Sequence, residues 1–136
     1  MRVALITFFP RKDDSLSSIL KKLQGGSAER GNQVEVFNGH EDLSNTRLTM
    51  YDYIAVVMKP AGLFGGKIPP RIAEYLATSG TISGKKGCAL VVKSGFASNK
   101  ACQNLMRAME AEGVKLDYFE VIRDADHAAW VGKKIG

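Results

Sequence analysis

The sequence predicts an α/β fold, a three-layer open sandwich in which a five-stranded parallel sheet of order 2-1-3-4-5 carries helices on both faces. Two observations carry this. Apolar runs of strand length at 2–8, 53–58 and 87–93 are almost unbroken, the pattern of strands covered on both faces, and runs at 33–37 and 116–122 complete the five. Between successive runs lie stretches with helical spacing or turn residues, so each strand returns through a crossover, which is right-handed in a parallel sheet.

In chain order, the first strand feeds a helix marked by Leu16, Ile19, Leu20 and Leu23, with Asp13, Asp14 or Ser15 as its cap. Gly25-Gly26 weakens its end and Gly31 stops it. After the second strand and a polar connection over 38–50, the third strand opens into a glycine-rich loop at 60–67. The next helix begins near Pro69-Pro70, since proline fits a first helical turn, and buries Ile72, Tyr75, Leu76 and Ser79. A loop at 94–99, with Asn99 as the cap, precedes a helix carrying Cys102, Leu105, Met106 and Met109. The fifth strand leads to a last short helix over 126–135, capped by Asp124 or Asp126 and packed on the sheet through Trp130 and Ile135.

The 136 residues, 45% hydrophobic, suffice for one domain over 1–136. No apolar run approaches the roughly 20 residues of a membrane helix, and no signal-peptide pattern follows the first strand, so a cytoplasmic location without membrane contact is expected. The net charge is +5, but its bases are scattered pairs such as Lys21/Lys22 and Lys133/Lys134, a distribution that argues against nucleic acid. Cys88 and Cys102 lie in apolar patterns without C-x-x-C spacing and read as buried thiols. His40 falls in a polar loop and His127 in the exposed first turn of the last helix. No G-x-S-x-G turn is present, and the third strand ends Met58-Lys59-Pro60 without the aspartate that a phosphorylation receiver needs; hydrolase and receiver readings therefore fail.

Open parallel sheets bind ligands beyond the carboxyl ends of their strands where the strand order reverses, here between the first and third. Three loops meet there, at 7–15, 59–67 and 93–99. Gly62, Gly65, Gly66 and Gly95 permit close backbone approach, and Leu63, Phe64 and Phe96 are placed to lie against a flat aromatic ligand, a combination that suits a flavin ring. The first loop also feeds a helix N-terminus, where a phosphate is favoured, although Asp13 and Asp14 bring negative charge to the same point.

The segment Pro10-Arg11-Lys12-Asp13-Asp14-Ser15-Leu16-Ser17-Ser18-Ile19-Leu20 resembles the first loop and helix of the NADPH-dependent FMN reductase and flavodoxin families, which commonly read G-S-P-R-K-x-x-N-T-x-x-L-L. Pro10, Arg11 and Lys12 match by identity and Ile19-Leu20 by type. The likeness continues in Tyr51-Asp52-Tyr53-Ile54, Pro60, Phe64-Gly65, Gly84-Lys85-Lys86 and Trp130-Val131-Gly132-Lys133-Lys134-Ile135. It implies a flavodoxin-like fold over nearly the whole chain and an FMN-binding redox function, in electron transfer or as an NAD(P)H-dependent flavin oxidoreductase. A redox partner protein or NAD(P)H would be its partner, and no side chain need act catalytically. By this resemblance Arg11 and Lys12 hold the phosphate, Thr7, Ser15 and Ser17 donate hydrogen bonds, and Phe64 and Phe96 flank the ring. Phe9, Pro60, Gly62, Gly65, Ser94 and Gly95 complete the FMN site. The phosphate loop is degenerate: Phe8 and Phe9 stand where the families have Gly and Ser, Ser15 where they have Asn, and Leu16 where they have Thr. The alternative is a flavodoxin-like domain that has lost its flavin and acts as a binding or regulatory module. The oligomeric state is left open.

Overall fold

A computed structural model describes residues 1–11, 13–41, 47–60 and 65–136. Five strands, β1 (Arg2–Phe8), β2 (Gln33–Asn38), β3 (Tyr53–Met58), β4 (Lys86–Val92) and β5 (Lys115–Ile122), form one all-parallel sheet in the order β2-β1-β3-β4-β5. The helices are α1 (Asp14–Glu29), α2 (Pro70–Thr78), α3 (Ser98–Ala111) and α4 (Ala125–Gly132). Among the described residues, no helix is long and apolar enough to cross a membrane.

The continuous apolar runs are the inner strands, and alternate residues serve opposite cores. Ile6, Val56 and Val91 pack with Ile72 and Leu76 of α2 and Leu105 and Met109 of α3. Leu5, Tyr53 and Leu90 pack with Leu16 and Leu23 of α1 and Val131 of α4. The expected core residues Val3, Leu5, Ile54, Val56, Leu90 and Val91 are all buried. Cys88 and Cys102 are buried free thiols, and burial pushes them up to about 12 and about 11.

Asp13 is the cap of α1, its Oδ1 accepting the Ser15 N–H at 2.7 Å. Gly25-Gly26 does not end this helix, which runs on to Glu29 before Gly31 takes φ +88°. Gly26 instead lies buried where α4 crosses, and a Cβ there would stand 2.8 Å from the Ala129 carbonyl oxygen. One on Gly132 would stand 2.6 Å from the Leu23 carbonyl oxygen, so the two backbones approach as only glycine allows. Ser27 Oγ donates to the Ile135 carbonyl at 2.9 Å, fastening the chain end to α1.

Three expectations about the later helices need correction. Asn99 does not cap α3; the cap position is Ala97, without a side-chain bond, and Ser98 Oγ instead accepts the Ser94 N–H and donates to the Ser94 carbonyl. His127 is buried rather than exposed, because its Nδ1 accepts the Arg123 N–H at 3.1 Å while Asp124, the cap of α4, accepts its backbone N–H. Trp130 does not pack on the sheet: it is 52% exposed, stacks on His127, and carries the Lys134 ammonium over its ring. The inner stripe of this segment is Ala128, Val131 and Ile135, spaced by three and four, which turns Trp130 to the side.

Candidate functional site

The strand order reverses at β1, and the loops after β1, β3 and β4 meet beyond the carboxyl ends of those strands. They enclose a hollow of about 440 Å³. Pro10, Arg11 and Asp13 come from the first loop, Lys59 and Pro60 from the second, Ser94 from the third, and Leu16 from the first turn of α1. The local reasons are plain. β1 and β3 are paired in parallel register up to Phe8 and Met58, so their exits lie side by side, and the Lys59 N–H still donates to the Phe8 carbonyl. Ser98 closes the β4 exit into a turn that holds Ser94 inward.

Among the described residues, Arg11 and Asp13 carry the charges that line the hollow from the first loop, with Asp14 acidic in the first turn of α1. Asp13 places its carboxylate at the N-terminus of α1 and takes up the Ser15 N–H, a donor that a bound anion would otherwise use. Arg11 is exposed, and among the described residues its guanidinium has no hydrogen-bond or ion-pair partner. A cation free to engage an anion thus stands beside a carboxylate that already holds one N–H of the helix end.

A larger groove of about 620 Å³ lies on the other side of the same loop, between α1 and β2, and shares Pro10, Arg11, Asp13 and Leu16 with the hollow. Thr7, Phe9 and Ser17 line this groove and not the hollow. The Thr7 hydroxyl is buried and donates to the Phe37 carbonyl at 3.4 Å, so it is bound to β2. Ser15 is exposed and lines neither space. Of the expected residues, the hollow brings together Arg11, Pro60 and Ser94. Gly65 and Gly95 adopt φ +93° and +64°, conformations that favour glycine, and Phe96 beside Gly95 is 84% exposed. Lys12, Gly62 and Phe64 lie outside the described residues.

Asn38, His40 and Glu41 line the groove, although the sequence reading gives them no part in a site. His40 stands edge-on to Phe8 with ring centroids 5.5 Å apart, and Asn38 Oδ1 accepts its backbone N–H at 3.0 Å. The one available signal was Asn38-Gly39, a turn pair just after a strand: Gly39 packs directly on the Phe8 ring, leaving no room for a Cβ.

No protein-family model matches the chain, and no curated protein matches its sequence. Solved structures do match over its length. A Streptococcus pneumoniae flavodoxin superposes with a TM-score of 0.67 at 15% identity, covering 96% of this chain and 95% of its own. An NAD(P)H:quinone oxidoreductase from Methanothermobacter marburgensis gives 0.63 at 12%, covering 98% of both chains. The apo form of an NADH:FMN oxidoreductase gives 0.67 at 12%, covering 99% and 90%. At such identities the likeness is one of fold, and it joins the strand order and the placement of helices on both faces: the chain has the flavodoxin-like fold.

Proposed function

We propose that this domain binds FMN in the hollow at the switch point and works as a redox protein, in electron transfer or as a flavin reductase. The observation that carries the reading is the convergence of Arg11, Pro60 and Ser94, from three separate loops, on one hollow at the place where this fold takes its ligands. Bound FMN would supply the electron-transfer chemistry. The chain would bind and orient it, and exchange electrons with a partner protein or NAD(P)H in the cytoplasm.

The two ends of the cofactor meet unequal surroundings. Toward the ring, Gly95 and the exposed Phe96 follow Ser94 in the third loop, just outside the lining of the hollow, and in this reading they close on the flat ring. Toward the phosphate, Arg11 contributes a charged hydrogen bond worth roughly 1.5–3 kcal/mol, and the helix end about 0.3–1 kcal/mol. The Asp13 carboxylate opposes both, since it already holds the Ser15 N–H and repels a second anion. The balance at this end is close to neutral, so the ring contacts decide the affinity, and binding is weaker than a phosphate cradle free of carboxylates would give.

A second reading is a domain without flavin that serves as a binding or regulatory module. The same Asp13 cap favours it, because it occupies the Ser15 N–H at the helix end with no ligand present. Calorimetric titration with FMN separates the two. Saturable uptake that Phe96→Ala weakens by about tenfold, as loss of a ring stack does, supports the flavin reading; heats indistinguishable from dilution leave the second reading standing.

A further inference from the structure

We propose that the groove between α1 and β2 is a second binding site, for a small amphipathic carboxylate with an apolar body the size of one ring. Its volume of about 620 Å³ falls in the range of roughly 300–1,000 Å³ typical of small-molecule sites. Leu16 and Leu20, one turn apart on α1, face Val36 of β2 across it, and the half-buried Phe9 borders them. This is an apolar floor that two secondary-structure elements hold in place.

The polar groups around the floor are mostly spoken for. Thr7 donates to the Phe37 carbonyl, Asn38 uses its oxygen on the His40 N–H and its nitrogen on Glu41, and Asp13 holds the Ser15 N–H. Among the described residues, the Arg11 guanidinium is the charged lining group left without a partner, and the Ser17 hydroxyl stands uncommitted on the same wall. A guanidinium beside an apolar floor selects an anion with an apolar body, by paired charged hydrogen bonds at one end and desolvation at the other. Asp13 and Glu41 also line the space, so a singly charged carboxylate is repelled less than a phosphate dianion. This inference does not rest on flavin binding. The two sites share Arg11, so a ligand in one draws on the cation that the other needs.

The test uses the ¹⁵N-labelled protein without flavin, titrated separately with 3-phenylpropionate and 2-phenylethylamine while amide resonances are followed. The carboxylate is expected to give saturable shifts at Leu20, Val36 and His40, and the amine none. Arg11→Gln should weaken the carboxylate at least about tenfold, the loss of a charged hydrogen bond, and Val36→Thr, which trades a floor methyl for a hydroxyl, about threefold, with amide dispersion kept in both. The proposal is overturned if 3-phenylpropionate gives no saturable shifts, if its shifts centre on Lys59 and Ser94, if the amine binds as well, or if Arg11→Gln binds unchanged. FMN uptake has its own optical signal, so either site can fail alone.

Discussion

Asp13 holds two roles that compete for one carboxylate. As the cap of α1 it satisfies the Ser15 N–H, and replacing it with alanine should cost about 1 kcal/mol of stability, read from a urea melt; a variant that melts unchanged would show that the cap contributes nothing. As a fixed negative charge in the first loop it stands against any phosphate there. Residues of the later loops show how far a sequence can be read. The glycines flagged for unusual backbone do take it at Gly65 and Gly95, because the demand for positive φ is local. The environment of His127 was not legible, since it depends on where the backbone N–H of Arg123 and the carboxylate of Asp124 come to lie around the turn. The capping of α3 was missed for a related reason: Ser98 and Asn99 are both good caps, and the turn back to Ser94 chose neither.

At the scale of elements, the contact between α1 and α4 is the one that chain position and glycine content make most sensitive. Gly132→Ala should destabilise the protein by about 1–3 kcal/mol, the usual cost of forcing atoms into a packed interior, because the new methyl meets the backbone of α1 and no flexible side chain can yield. A chemical-denaturation midpoint equal to that of the parent would contradict this. Deleting residues from Asp126 onward should lower thermal stability sharply, through loss of Ala128, Val131 and Ile135 and of the Ser27 bond to the Ile135 carbonyl. Trp130→Gln should change stability by less than about 1 kcal/mol, since the ring is half exposed; the opposite ranking in melting experiments would restore Trp130 as the anchor. The strands were legible because burial on both faces leaves an unbroken apolar run. The inner stripe of α4 was not, because in so short a helix Trp130 outweighs three smaller residues in any reading by hydrophobicity.

For the whole molecule, base acts on stability through buried thiols and a phenol. Burial raises the Cys88 thiol from 9.0 to about 12 and the Cys102 thiol to about 11, and burial with the neighbouring Glu120 raises Tyr118 from 10.0 to about 12. These groups keep their protons in the folded protein at a pH where the unfolded chain has released them. Their stabilising contribution is complete below pH 9 and is lost as pH rises from there towards 12, so urea midpoints should fall between about pH 8 and about pH 11. Midpoints that stay level over that interval would refute the assignment. The flavodoxin-like order of the sheet was legible from five alternating patterns, and so were the three loops that meet at its switch point. The groove beside them was not, because it is built by Val36, Asn38, His40 and Glu41, which read in sequence as an ordinary strand end and polar loop. The most direct test of the account is a titration of FMN followed by quenching of flavin fluorescence, run in parallel on the parent protein and on Asp13→Ser, which keeps a capping oxygen and removes the charge. Saturable quenching that tightens by about tenfold in the variant, the worth of one charged contact, is the predicted result; no quenching in either protein, or equal affinity in both, would contradict it.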